Sequence, residues 1–316
     1  MWGYFGDALD GPPGTYYDSR SEPVTYFWNI FEQVLIRPTL LDAFVPASLK
    51  ILDSDGDETL LTKLQHSFDR LDTVAEFRLL GRVPFEAAAA LQERLVYEAG
   101  GLAEPRIVVL MCEHPDLITV GRAGSRGHVR FSNDQLKHEQ LSLRWVGRGG
   151  GCVLHAPGQL AVYPIVPLNL LGWTVGEYLR RFQRGLVEGF AEVNVRGEMH
   201  DGSFGVWGRS GLLANVGVAV RGGITCHGAF INVNPAMRRY AFVDVFPPHS
   251  DPENGKSVMG CLLAERQAAV RMSGVRAALV KTLSAAFDCE RYHLFTGHPW
   301  LSSAPANAWK SDACQT

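Results

Sequence analysis

From Arg148 the chain reads RGGGCVLHAPGQLAVYPIVPL, with three consecutive glycines followed by a histidine among apolar residues. Glycines lack a Cβ, so their backbone N–H groups approach a ligand closely, and such a loop makes a concave lining for a carbonyl, a phosphate or an acyl chain. A plain strand connection fits the same spacing. Nucleotide chemistry is not indicated: a GxGxxG fingerprint is missing here, and NGKS at 254–257 has Ser250 where a phosphate loop begins with glycine. His155, His227 and His249 are the candidate bases near the loop, and Cys226 stands beside His227. In a strand, successive side chains point to opposite faces, so a His227 that lines a pocket turns Cys226 away unless a bulge intervenes. The same alternation separates Cys152 from His155. Upstream, Asp53, Asp55 and Asp57 occupy the first three ligand positions of a calcium loop. Gly56 comes two positions early, however, and Leu64 replaces the bidentate Glu, so a solvated turn before a helix is the preferred reading. No metal and no cofactor is called for.

The elements that must hold these groups read as an α+β domain from residue 74 onward. PFEAAAALQERLVYEAGG starts at Pro84, contains good helix formers and closes at Gly100 and Gly101, the pattern of a capped helix. RIVVLMCEHPDLITVG reads as two strands with a turn between, and the glycine run as a loop flanked by strands. VGEYLRRFQRGLVEGFAEV has helical period, with Val175, Leu179, Phe182 and Leu186 along one face. GLLANVGVAVRGGITCHGAFINVNP reads as a hairpin joined at Arg221, Gly222 and Gly223, and 258–288 as a final helical region. Residues 1–73 form an N-terminal extension with short amphipathic stretches, 74–295 the main domain and 296–316 a tail rich in Ala, Ser and Pro.

A length of 316 residues with 46% hydrophobic content suits one large core with an appendage. The formal net charge of −3 gives no basic footprint for nucleic acid. The N-terminus does not have the layout of a secretory signal, and no apolar run reaches the roughly 20 residues that span a bilayer. A cytoplasmic protein is expected. The six cysteines are scattered singly and read as free thiols, with Cys261 a small buried hydrophobe.

The order EHPDLITVGR, RGGGCVLHAPGQLAVYPI, GVW at Gly205–Trp207, LLANVGV and HGAFINVN closely resembles the octanoyltransferases of lipoate biosynthesis, in the superfamily of biotin and lipoate protein ligases. The resemblance runs from about Phe77 to about Phe287. It implies a mixed sheet with packed helices, and an enzyme that takes octanoyl from acyl carrier protein onto a cysteine and passes it to a lysine of a lipoyl domain. Carried over position by position, it makes Arg148, Gly149, Gly150 and His155 one wall of a medium-chain acyl pocket. Asn215, Val216, Gly217, Gly228, Ala229 and Phe230 form the wall opposite. His155 has a competing reading as a buried hydrogen-bonding residue that fixes the loop.

The resemblance fails where the chemistry sits. The family's nucleophilic cysteine falls on Pro248 in FVDVFPPHS, where Phe242, Val245 and Pro247 match and His249 replaces a glycine. Proline carries no nucleophile and no backbone N–H. The family's lysine, five residues before Gly217, falls on Leu212. A rerouted acyltransferase, weak or inactive, is one reading, with His249 and Cys226 as substitutes. The others are a non-catalytic acyl- or partner-binding module and an adenylating ligase, although such ligases also rely on a lysine in the region of Leu212. His249 and Lys256 read first as a solvated loop. Arg122, Arg126, Arg130 and Arg144 precede the glycine loop and are candidates to meet an acidic carrier protein.

Overall fold

The computed structural model describes residues 73–200, 204–245 and 259–303. The acidic run at Asp53–Asp57 lies outside the described residues, as do Pro248, His249 and Lys256. The strands are β1 (Val74–Arg82), β2 (Arg106–Glu113), β3 (Leu117–Val120), β4 (Leu143–Trp145), β5 (Cys152–His155), β6 (Gln159–Ile165), β7 (Gly205–Gly208), β8 (Gly211–Arg221), β9 (Ile224–Asn232) and β10 (Arg291–Thr296). The helices are α1 (Phe85–Gly100), α2 (Asn133–His138), α3 (Leu168–Leu171), α4 (Val175–Glu192), α5 (Leu262–Arg266), α6 (Met272–Ala286) and α7 (Pro299–Ser303).

Seven strands form one mixed sheet in the order β10-β1-β2-β6-β9-β8-β7; β10, β1 and β2 run parallel and the remaining neighbours antiparallel. One face packs on α4 and α6, where Tyr178, Phe182, Leu186, Leu279 and Leu283 meet Val162, Val216 and Ala229. The other face packs on α1, where Ala88, Leu91 and Leu95 meet Leu110, Ala161, Tyr163 and Phe230. The sheet is therefore buried on both sides, and its central strands read as apolar runs. Val175, expected on the apolar face of α4, is 44% exposed at the first helical turn. Trp300 and Leu301 of α7 pack against the α1 side.

A second sheet, β4-β3-β5, carries the glycine loop. β2 and β3 are the two strands expected around EHP, but they belong to different sheets, so the chain leaves one sheet for the other at His114–Asp116. The β8–β9 hairpin turns through Gly222 and Gly223, both with positive φ (56° and 77°), as a two-residue connection between twisted strands requires.

Candidate active site

The glycine loop, Arg148–Gly151, joins β4 to β5 and is fixed largely by its own carbonyls. Gly121 N–H donates to Gly151 O, Arg122 N–H to Arg148 O and Ala123 N–H to Gly150 O, each at 3.0 Å, while Gly149 N–H donates to Val218 O of β8 at 2.9 Å. Two close approaches demand glycine. A Cβ at Gly217 would stand 2.6 Å from Gly149 O, and one at Gly151 would run into Val245 O. The second contact seats the segment 242–245 directly on the loop. An Asp244 N–H bond to His128 O (2.8 Å) and an Arg130 N–H bond to Phe242 O (2.8 Å) hold the same segment from the far side.

Arg148 is fully buried, and no carboxylate pairs with it among the described residues. Its Nη2 donates to Thr119 O (3.0 Å) and Thr119 Oγ1 (2.8 Å), its Nη1 donates to Gly149 O (3.0 Å), and its guanidinium lies 5.6 Å from the centre of the Phe230 ring. Burial brings its pKa down to about 10, so it stays charged at neutral pH. Partner geometry then assigns the His155 tautomer. Nδ1 lies 2.9 Å from Gln159 Oε1, an acceptor, so Nδ1 carries the proton, and Nε2 accepts from Thr119 Oγ1 at 2.9 Å. Gln159 Nε2 in turn donates to Leu154 O (3.0 Å) and Asn232 Oδ1 (2.9 Å), and Asn232 Nδ2 donates to Gly260 O (3.0 Å). Burial holds His155 far below its ordinary pKa, and the ring packs edge-to-face on Phe230 at 4.5 Å. Both nitrogens of this neutral imidazole are committed, which leaves it no lone pair for a reacting amine.

The six residues assigned to the opposite wall are divided between two faces. Asn215 pairs with Phe230 and Gly217 with Gly228 on the side of the glycine loop. Val216 and Ala229, which pair with each other, send their side chains into the core beneath α4 and α6, because strand alternation turns them over. Leu212 is fully buried in the cluster that holds Val153, Phe230 and Val245. Its carbonyl accepts from Gly260 N–H at 3.0 Å. The chain leaves the described residues at Val245, against Gly151 of the glycine loop, and re-enters at Met259, which bridges to Leu212.

Cys226 departs from the strand rule. His227 takes φ +59°, and Cys226 and His227 border the same cavity instead of facing apart. Cys152 lies, as alternation requires, in the cluster on the far side of β5 from His155, with its thiol toward Ser125 O at 3.4 Å. Burial raises both thiols above the ordinary value. Cys261 is buried at the start of α5. His114, quoted in EHP but given no role, is a second buried neutral histidine. Its Nδ1–H donates to Val83 O (2.8 Å), Nε2 accepts from Tyr163 Oη–H (2.7 Å), and burial lowers its pKa to about 4. The four arginines before the loop are mostly engaged: Arg130 pairs with Asp244 (3.2 Å), Arg144 with Glu86 (2.7 Å), and Arg126 donates to Phe131 O (2.9 Å) in its own turn.

A match to the lipoyl protein ligase A/B catalytic domain covers residues 84–284. The chain belongs to this family. An octanoyltransferase of Roseiflexus sp. (strain RS-1) is 32% identical over 230 residues, 72% of this chain and 93% of the relative. One from Geobacter metallireducens is 36% identical over 167 residues, 53% of this chain and 75% of the relative. The chain is thus a member of the octanoyltransferases within the biotin and lipoate ligase superfamily. Among solved structures, one of a bi-partite lipoate protein ligase and its E2 lipoyl domain from Thermoplasma acidophilum superposes with a TM-score of 0.56 at 13% identity, over 73% of this chain and 90% of that one. Lipoate-protein ligase A bound with ATP gives 0.55 at 16% identity, over 72% and 92%. These likenesses establish the mixed-sheet fold. Among the described residues no helix is long and apolar enough to cross a membrane.

Proposed function

We propose that the chain handles octanoyl groups in protein lipoylation, accepting octanoyl from acyl carrier protein beside the glycine loop and delivering it to the lysine of a lipoyl domain. One observation supports this reading: behind a glycine loop of the kind found in the octanoyltransferases, Arg148, Thr119, His155 and Gln159 are joined by a continuous run of hydrogen bonds that fixes the loop. The family's own route is closed, because Leu212 fills the lysine position in an apolar cluster and the nucleophile position is Pro248. Turnover is accordingly slow, and Arg122 is the arginine of the four best placed to meet an acidic carrier. The same burial of Leu212 supports a second reading, a module that binds the acyl chain or its carrier without turnover; it counts equally against an adenylating ligase. Residues 74–295 make the acyl-handling domain, 1–73 an extension and 296–316 a tail, in a cytoplasmic protein.

The test is incubation of the full chain with octanoyl carrier protein and a lipoyl domain, followed by intact-mass spectrometry of all three. An octanoyl adduct on the lipoyl domain above the uncatalysed background supports transfer; octanoyl carrier binding with no adduct leaves the binding module. The double substitution Pro248→Cys with Leu212→Lys is expected to give a stable octanoyl adduct mapped to position 248. Its failure in a folded protein would overturn the slot.

A further inference from the structure

The glycine loop has donors to offer a ligand, and its acceptors are taken. Each carbonyl from Arg148 to Gly151 already accepts a hydrogen bond: Arg148 O from Arg122 N–H, Gly149 O from Arg148 Nη1, Gly150 O from Ala123 N–H and Gly151 O from Gly121 N–H. The backbone N–H groups of Gly147 and Gly150 have no acceptor among the described residues. Two guanidinium groups stand against the same stretch. Arg122 Nη2 lies 3.8 Å from where a Cβ on Gly149 would be, and Arg221 Nη2 lies 3.9 Å from that of Gly147. Arg122 is exposed and pairs with no carboxylate among the described residues, in contrast to Arg130 and Arg144. Arg221 pairs with Glu93 at 3.2 Å, but both side chains are more than half exposed, and such a pair contributes little in water. Buried Arg148 adds a third positive charge beneath them. The three act together on His227, whose pKa is lowered to about 4 by burial first and then by Arg148, Arg221 and Arg122. The mouth of the loop is thus electropositive and open, which suits an anion. A planar carboxylate matches one guanidinium fork, whereas the diverging oxygens of a phosphate can meet two forks and a backbone N–H together. The loop runs from Gly147, beside Arg221, to Gly151, against Val245 O. An anion held at the first end is therefore set apart from the segment that leads to position 248.

We propose that Arg122 and Arg221, at the mouth of the glycine loop, hold the phosphate of the acyl donor, so that the chain selects a thioester carried on a phosphorylated arm. This rests on the reading that the chain handles octanoyl thioesters. Octanoyl carrier protein presents its thioester on an arm attached through a phosphodiester, and octanoyl coenzyme A carries the same arm on a nucleotide. The phosphate is common to both. Arg221 exchanges Glu93 for the phosphate, Arg122 gains its first charged partner, and the exposed end of the loop supplies a backbone N–H. Arg148 stays committed to Thr119 and Gly149 and contributes through its charge alone.

The experiment is calorimetric titration of the full chain with octanoyl pantetheine, octanoyl phosphopantetheine, octanoyl coenzyme A and octanoyl carrier protein. The phosphorylated thioester is expected to bind roughly 30-fold tighter than octanoyl pantetheine, the scale of hydrogen bonds to a charged group. In the double variant Arg122→Gln with Arg221→Gln that advantage disappears, with an unchanged circular dichroism spectrum. Glu93→Gln removes the competing carboxylate and is expected to tighten the phosphorylated thioester about 3-fold, an effect that a merely structural ion pair would not give. Loss of affinity for octanoyl carrier protein in the double variant assigns the site to the carrier's arm, and loss for octanoyl coenzyme A alone assigns it to the free thioester; either supports a phosphate site. Equal binding of octanoyl pantetheine and octanoyl phosphopantetheine overturns the proposal, as does an advantage that survives the double substitution, and both leave the octanoyl-handling reading standing. A full chain that binds none of the four compounds overturns both.

Discussion

Thr119 Oγ1 donates to His155 Nε2 at 2.9 Å while accepting from Arg148 Nη2 at 2.8 Å, so one hydroxyl joins a buried cation to a buried neutral imidazole. Thr119→Val keeps the shape and removes the link. His155 Nε2 then loses its donor and Arg148 one acceptor, a loss of about 1–3 kcal/mol in unfolding free energy. Thr119→Ser restores the hydroxyl and is expected to cost less than about 1 kcal/mol. Denaturant unfolding of the two variants decides the matter, and equal losses would show that the hydroxyl does no more than fill space.

The histidines also fix a pH dependence. His114 and His227 titrate near 4 in the folded chain and His155 is lowered further, each chiefly by burial. An unfolded histidine titrates near 6.5, so between about 6.5 and 4 the unfolded state binds more protons than the folded one. Their contribution is therefore fully present above pH 6.5 and is lost as pH falls. Each histidine gives a slope of about 1.4 kcal/mol per pH unit, and the three together roughly 4. Unfolding free energies at pH 7, 5.5 and 4.5 are expected to drop steeply; a flat profile across that window would mean that these rings are charged in the fold.

Much of this frame was legible from residue types alone. Pro84 and the pair Gly100–Gly101 bracket α1, and Gly222–Gly223 mark the hairpin turn, because helix caps and two-residue turns are local chemistry. Leu212 and Pro248 stood out because charge and nucleophile cannot be supplied by those side chains. Other features depend on long-range contacts that no local pattern carries. β10 pairs in parallel with β1 at an edge where all six of its residues are exposed, so it has no apolar period to read. Val216 and Ala229 sit inside motifs quoted as one wall, yet alternation sends them to the other face. His227 is the reverse case: alternation put Cys226 out of its cavity, and a single left-handed residue brought it back.

The seat of the glycine loop gives the sharpest mechanical test. At Gly151 an added methyl would meet the carbonyl of Val245, a backbone atom that can yield only if the segment 242–245 shifts. Gly151→Ala is therefore expected to lower stability by about 1–3 kcal/mol, the usual cost of overpacking, and to weaken octanoyl binding by moving that segment off the loop. Gly274 provides the contrast. It lies in α6, is exposed, and a Cβ there would meet nothing within 4 Å. Gly274→Ala is expected to raise stability by about 0.4–1 kcal/mol through the smaller conformational freedom of the unfolded chain, with octanoyl binding unchanged. For a domain of this size the two variants should separate by several degrees in Tm, at roughly 2–4 °C per kcal/mol. A Gly151→Ala protein as stable as its parent and still binding octanoyl would mean that the loop does not depend on the backbone contact at Val245.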